Sequence, residues 1–296
     1  MIKHFVRALR APFLTASILP FVFGSLIIKR SFNLAGFILG LFAVAFTHLS
    51  ANLINDYADS LSGADDGDKR FYPFFGGSKL IQENILSESF YFNAAVFCAF
   101  MAFLSVMLLA LILKSAFVLL AYILILLLSW QYSAKPLRFS YHYLGEVFIF
   151  ILFGPALVMG GYYIQSGIFP DLRSFMLSLP PGFITAALLF ANEVPDFMSD
   201  QKVKKNNWVR FTTLNKAYLI YIGLVLLGIS SVIAGVLLKY TGIFSLLSLL
   251  LLFPAVKAAG ILKDGRFDKM RLSVSSAITI KMQAAISLIL ILGSII

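Results

Sequence analysis

Charge and cysteine are both scarce in this chain of 296 residues. Charged side chains make up 13% of it, against the roughly 25% of a soluble domain, and that deficit excludes a soluble globular protein and a disordered one alike. The single cysteine, Cys98, stands in an apolar run and excludes an internal disulfide or a multi-cysteine metal site. It reads as a small residue packing one helix on another. Acid is scarcer than base, 14 Asp and Glu against 24 Lys and Arg, for a formal net charge of +10. The bases are scattered between apolar segments rather than gathered on a soluble face, so nucleic acid is not an expected partner. Apolar residues are what the chain has in excess: 60% are hydrophobic, with 30 Phe, and the mean hydropathy is +0.90. That is more than one or two globular cores could bury, and the remainder must face lipid.

Stretches long enough for a bilayer occur nine times: near Phe13 to Ile28, Leu34 to Ile54, Phe90 to Leu113, Ala116 to Trp130, Val147 to Ile164, Phe175 to Ala191, Ala217 to Leu238, Ile243 to Leu262 and Val274 to Ile296. Barrel strands alternate apolar and polar residues over short segments, so the expected fold class is an all-α integral membrane protein with nine transmembrane helices in one domain, residues 1–296. The first stretch continues through Lys29 and Arg30 without a small-residue cleavage site and reads as a helix rather than a signal peptide. Pro180-Pro181 reads as a helix start near the outer end of the sixth stretch.

Basic residues near span ends stay in the cytoplasm. Eighteen of the 24 fall in the segments on the N-terminal side of the membrane, including Lys3, Arg7, Arg10, Lys69, Lys79, Lys135, Lys205, Arg266 and Lys269. Only Lys29, Arg30, Lys114, Arg173 and Lys239 fall on the other side. The N-terminus is therefore expected in the cytoplasm and the C-terminus outside, in the cytoplasmic (inner) membrane. Thirteen of the 14 acids share the cytoplasmic side, Asp171 being the exception, and Asp56, Asp59, Asp65, Asp66 and Asp68 crowd together where the second stretch ends. Carboxylates this close repel one another unless cations neutralise them, which points to a metal.

The second stretch ends in Asn55-Asp56-Tyr57-Ala58-Asp59 and the sixth in Asn192-Glu193-Val194-Pro195-Asp196, followed by Asp200. Each carries an N-[DE]-x-x-D core at a cytoplasmic helix end. Asp56 and Asp59 are three apart and Asp196 and Asp200 four apart, so each pair projects from one face if the helices continue that far. Two facing carboxylate pairs suit Mg²⁺, which takes oxygen ligands and keeps waters and substrate phosphates in its shell. His48 and Asn52 continue the face of Asp56 at four-residue steps, inside an otherwise apolar span, where polar groups line a bundle interior or a cavity.

With these motifs, with Arg10-Ala11-Pro12-Phe13-Leu14-Thr15-Ala16-Ser17 entering the first helix, and with Tyr132-Ser133-Ala134-Lys135-Pro136-Leu137-Arg138 running on to Leu144-Gly145-Glu146, the whole chain resembles the UbiA superfamily of intramembrane prenyltransferases. Phe75-Gly76-Gly77-Ser78-Lys79-Leu80-Ile81-Gln82 is most similar to the branch that includes the 1,4-dihydroxy-2-naphthoate polyprenyltransferases of menaquinone synthesis. Two departures are visible: Gly63 stands where the first motif usually has its third acid, Asp65 coming two later, and Lys204-Lys205-Asn206-Asn207 replaces a common Gly-Lys-Arg-Thr, with only Lys205 matching. The resemblance implies Mg²⁺ as cofactor, a polyprenyl diphosphate as donor, an aromatic or lipid acceptor, and a cavity open to membrane lipid.

Cleaving an allylic carbon–diphosphate bond builds charge on the leaving oxygens, which Mg²⁺ and basic side chains stabilise. On the resemblance, Asp56, Asp59, Asp65, Asp196 and Asp200 hold metal, with Asp56, Asp59, Asp196 and Asp200 the catalytic core. Asn55, Lys79, Lys135, Arg138, Asn192 and Lys205 contact diphosphate, and Arg10, His48, Asn52 and Tyr132 line the acceptor or cation pocket. An electron-rich acceptor such as 1,4-dihydroxy-2-naphthoate, a 4-hydroxybenzoate-like acid or a glycerol-phosphate lipid then captures the allylic cation. A terpene cyclase would ionise the same donor without an acceptor. A secondary transporter would carry its carboxylates near the midplane, and a phosphatidyltransferase would show a D-G-x-x-A-R signature that this sequence lacks.

Overall fold

The computed structural model describes residues 2–28, 32–68, 70–265 and 268–295; Lys29, Arg30, Lys69, Arg266 and the last residue of the final stretch, Ile296, lie outside it. Every regular element among the described residues is a helix. In order the helices are α1 (Ile2–Ala8), α2 (Thr15–Leu26), α3 (Leu34–Ser62), α4 (Glu88–Leu113), α5 (Ala116–Gln131), α6 (Gly145–Phe153), α7 (Pro155–Ser166), α8 (Leu172–Lys202), α9 (Val209–Thr212), α10 (Ala217–Leu237), α11 (Leu252–Asp264) and α12 (Lys269–Ile295), with 3₁₀ turns at Ala11–Leu14, Phe139–Tyr141 and Ile243–Leu251. Among the described residues the only β pairing is an isolated bridge between His142 and Asn206.

Among the described residues seven helical segments, where nine were expected, are long and apolar enough to cross a bilayer. The other two stretches form shorter apolar helices, Ala11–Leu26 and Ala116–Gln131. Sixteen residues of α5 reach about 24 Å at 1.5 Å per residue, short of a hydrocarbon core of about 30 Å. Two further stretches are each built from two pieces. The stretch from Val147 breaks at Gly154-Pro155 into α6 and α7, because Pro155 has no N–H to continue the ladder. The stretch from Ile243 opens as 3₁₀ helix before α11.

Helix α8 is central: 72% of its apolar window is buried, against 44% or less in the other long spans. It packs on α6, α7, α10 and α12 around a core that includes Val158, Ile184, Phe190, Tyr221, Val225 and Ile286. Pro180-Pro181 sits inside this helix, not at its start. The start signal is Asp171, whose side chain accepts from the Ser174 N–H at 2.7 Å and caps the first turn. Thr185 then bonds the Pro181 carbonyl at 2.7 Å, settling a backbone group in a segment where water is scarce. Helices α3 and α4 form a second packed pair, and Cys98 is buried there with Leu53, Ile54, Tyr91 and Ala95, as its packing role predicts. Between α2 and α7 the backbones come so close that a Cβ at Gly24 would stand 2.1 Å from the Val158 carbonyl oxygen.

Candidate active site

Both aspartate motifs are helical to their last acid. Helix α3 runs on to Ser62 and ends at Gly63 with φ of 73°, while α8 runs to Lys202. Asp56 and Asp59 therefore share one face of α3, and Asp196 and Asp200 one face of α8, as their spacing requires. The faces border one cavity of about 200 Å³ whose lining includes Arg10, His48, Asn52, Asn55, Asp59, Asp65, Tyr132, Asn192, Glu193, Asp196, Asp200 and Lys205. Its inner end is apolar, walled by Ile149, Leu152, Phe153, Leu188 and Leu189.

Six aspartates meet four cations at the mouth. Arg10 pairs with Asp56, whose second oxygen accepts from the Ser78 N–H at 3.1 Å. Lys79, only 3% exposed, donates to the Asp65 carboxylate at 3.1 Å and to its main-chain carbonyl at 2.6 Å. Lys205 lies between the two helices, 3.6 Å from Asp59 and 3.9 Å from Asp200. Lys269, at the start of α12, is 3.8 Å from Asp196 and 3.1 Å from Asp68. The Gly76 N–H donates to Asp196 at 2.8 Å, so the loop of residues 63–87 is tied to both aspartate helices.

Burial opposes charge on Arg10 and Lys205, yet Asp56, Asp65 and Asp59 around the guanidinium, and Asp59 and Asp200 around the ammonium, hold both above their ordinary range. Burial and the neighbouring Asp59 push the Asp65 carboxyl up to about 7. Burial and the Glu193 carboxyl push the Tyr132 phenol well up, keeping its proton in place.

Among the described residues no three acid, His or Cys side chains converge closely enough to cage a metal by themselves. Mg²⁺ is seldom held by an all-protein cage; it takes one or two carboxylates, waters and substrate phosphates. The donor set fits that mode. Asp59 Oδ1 and Asn192 Oδ1 are buried without a hydrogen-bond partner, and an unpartnered buried oxygen carries a cost that a cation would remove.

The sequence-picked residues separate into three groups. Asp56, Asp59, Asp65, Asp196, Asp200, Lys79 and Lys205 come together as described. Asn55 donates to Ser133 at 2.5 Å, and Asn52 to the Leu9 carbonyl at 3.3 Å. His48, deeper in, hydrogen-bonds Ser17 at 2.8 Å and meets Phe153 edge-on. Arg10 lines the same cavity and stands beside Asp56 at its mouth. Lys135 is exposed and is not among the residues lining the cavity, because the loop after α5 carries it outward. Arg138 stacks on Tyr141, 3.6 Å from the ring centre, one ring away from Lys205. Sequence reading missed Lys269 and the Gly76 and Ser78 amides, which only chain folding brings to the acids, and Glu146, whose one-letter neighbourhood gives no sign that it is buried.

Gly77 has φ of 72°, and a Cβ there would fall 2.1 Å from Asp65 Oδ2. Gly77→Ala adds a left-handed backbone cost of about 1–2 kcal/mol to that clash, so we expect the loop to lift off Asp65. Protease sensitivity within residues 63–87 should rise and activity should fall about tenfold or more, since about 1.4 kcal/mol is a factor of ten.

Comparison with known proteins places this site in context. Over 218 residues the chain is 25% identical to 1,4-dihydroxy-2-naphthoate octaprenyltransferase of Mycobacterium tuberculosis, covering 74% of this chain and 71% of that one. Over 211 residues it is 29% identical to the UbiA prenyltransferase domain-containing protein 1 homolog of Drosophila melanogaster, covering 68% of this chain and 55% of the fly protein, so the match spans about half of that relative's length. The fold is similar to the UbiA homolog from Archaeoglobus fulgidus bound to DMAPP and Mg²⁺, with a TM-score of 0.67, 17% identity, and coverage of 95% of this chain and 98% of that one. The model of the UbiA prenyltransferase family matches residues 17–273, a range that contains both aspartate helices and the loop tying them together: the chain belongs to the UbiA prenyltransferase family.

Proposed function

We propose that this protein is a Mg²⁺-dependent intramembrane prenyltransferase that moves a polyprenyl group from its diphosphate to an aromatic acceptor, 1,4-dihydroxy-2-naphthoate in menaquinone biosynthesis. The observation that carries the reading is the meeting of two aspartate pairs, from α3 and α8, around one cavity with an apolar inner end. The whole chain acts as one domain in the cytoplasmic membrane, with the cavity mouth and N-terminus in the cytoplasm and the C-terminus outside. The excess of basic residues on the mouth side supports that orientation.

In this reading Asp56, Asp59, Asp65, Asp196 and Asp200 hold Mg²⁺. Bound there, the ion supplies Lewis-acid stabilisation of the diphosphate oxygens as they take up charge. Lys205, with Asn55, Asn192 and Lys79, positions the diphosphate. Lys205 is already held between the two motifs, so its charge needs no reorganisation when the leaving group develops its own. Arg10 orients Asp56 and fixes the α1 end of the mouth. The walls formed by Ile149, Leu152, Phe153 and Leu188 keep water from the allylic centre, and the Tyr132 ring faces the cation. The acceptor assignment rests on the M. tuberculosis relative and on the Gly76-Gly77-Ser78-Lys79 loop.

The test is to incubate the purified chain in detergent with labelled polyprenyl diphosphate, Mg²⁺ and a panel of acceptors: 1,4-dihydroxy-2-naphthoate, 4-hydroxybenzoate and a glycerol-phosphate lipid. Prenylated 1,4-dihydroxy-2-naphthoate should dominate, vanish with chelator and return with added Mg²⁺. Product on another acceptor would reassign the substrate. A cyclic hydrocarbon without acceptor would make the chain a cyclase, and no donor consumption would leave a transporter.

A further inference from the structure

The last two long spans each carry a lysine to which the proposed function gives no task. Lys257 lies in the span Ile243–Asp264 and Lys281 in the span Lys269–Ile295, and both are exposed. Charged side chains inside a span are costly and ordinarily face the bundle interior or a water-filled cavity. These two face outward. Neither lines the donor cavity, and among the described residues no carboxylate pairs with either.

The two lysines converge in depth. Helices α11 and α12 pack on each other as a hairpin, and the Ser275 hydroxyl donates to the Ala258 carbonyl at 3.3 Å. That register sets Lys257 level with the residue after Ser275, and Lys281 five residues, about 7.5 Å, farther from the mouth. Side chains on a helix tilt toward its N-terminus. Helix α12 leaves from the mouth, where Lys269 meets Asp68 and Asp196, so Lys281 leans back toward the mouth. Helix α11 runs the opposite way, so Lys257 leans toward the depth of Lys281. Arg271, also exposed, stands at the mouth end of the same hairpin, while the acids Asp264 and Asp268 stay at its turn.

We propose that the α11–α12 hairpin binds an anionic phospholipid of the mouth-side leaflet, its phosphate held between Lys257 and Lys281. Two ammonium groups on the lipid face, with no counter-charge from the chain, call for an anion that reaches their depth. A headgroup phosphate does so, because lysine stems extend toward the interface and the bilayer thins to meet them. The lipid carries net negative charge, since Arg271 repels the ammonium of a choline or ethanolamine headgroup and leaves a glycerol headgroup undisturbed. A second copy of this chain does not match: its exposed acids, Asp66, Glu83, Asp264 and Asp268, stand in loops or at a helix end and offer no anion at that depth. The site is separate from the donor cavity and holds or fails independently of the prenyltransferase reading.

For the experiment the full chain is stripped of lipid by detergent exchange and titrated with phosphatidylglycerol, phosphatidylcholine or inorganic phosphate. Native mass spectrometry follows lipid retention and thermal melting follows stability. Phosphatidylglycerol should be retained and should raise the melting temperature by several degrees; phosphatidylcholine should do neither. Lys257→Gln and Lys281→Gln should each weaken retention about fivefold, and together about 25-fold, the worth of one base apiece at an anionic lipid surface. Lys257→Arg combined with Lys281→Arg should keep the preference, and Lys114→Gln, at the far end of the spans, should not change it. Equal retention of both lipids, or a double Gln variant that still prefers phosphatidylglycerol, would overturn the site. If the double variant is not recovered folded, the single variants and the wild-type comparison of lipids decide. A shift produced by inorganic phosphate alone would make the ligand a soluble anion, and a particle of twice the mass that separates in Lys281→Gln would give this face to a second copy; either result removes the lipid.

Discussion

Asp56→Asn and Asp196→Asn are each expected to reduce prenyl transfer by about 10³-fold or more while the protein still inserts and extracts as a single species. Asparagine keeps the size and one acceptor oxygen, so one of the two donors at position 56, Arg10 or the Ser78 N–H, retains a partner, and the Gly76 N–H retains one at 196. What is lost is charge, and with it the affinity for a hard divalent ion. Removing a single electrostatic contributor from a preorganised site costs about 10²–10³ in rate, and weakening metal retention adds to that. Initial rates with labelled donor, set beside the yield of monodisperse protein in detergent, check the expectation. Turnover within tenfold of wild type for either variant would remove that aspartate from the metal site.

Gly24→Ala is expected to be the most destabilising small change in the bundle. Its Cβ would meet three main-chain atoms of Val158 at 2.1 to 2.7 Å, and backbone cannot turn aside as a side chain can. Helices in membranes gain from close approach of small residues, and α2 lies along α7 at this point. Overpacking costs about 1–3 kcal/mol where side chains can adjust; here the helices must part, so at least about 3 kcal/mol is expected. A thermal-stability assay in detergent should show a melting temperature several degrees lower. Gly160→Ala, with nothing within 4 Å of its Cβ, is the matching control and should leave it unchanged.

Much of the site was legible because aspartates are so rare in this chain that their positions stand out. Asp56, Asp59, Asp196 and Asp200 needed only helical spacing to be placed on two faces, and both helices do continue past them. Lys205 could be picked from its neighbourhood after the second motif. Lys269 could not, since its nearness to Asp196 depends on where α12 begins and how it crosses α8. Lys135 and Arg138 looked alike in sequence, yet the turn after α5 turns the first outward and lays the second on Tyr141. The glutamates were hidden for a different reason: burial, not residue type, makes Glu146 and Glu193 unusual, and hydropathy is silent about which polar residue faces inward. Span length was less legible, because a count of apolar residues does not register that Ala11–Leu26 and Ala116–Gln131 form shorter helices than the other stretches.

Helices α3 and α8 bear the two acid pairs but share little direct packing; Lys205 and the loop through Gly76 and Ser78 are what reach across. The breadth of the mouth is thus set by attraction and repulsion across a gap, not by interlocked side chains. A change in the balance of charge there therefore acts directly on the spacing of the two rods.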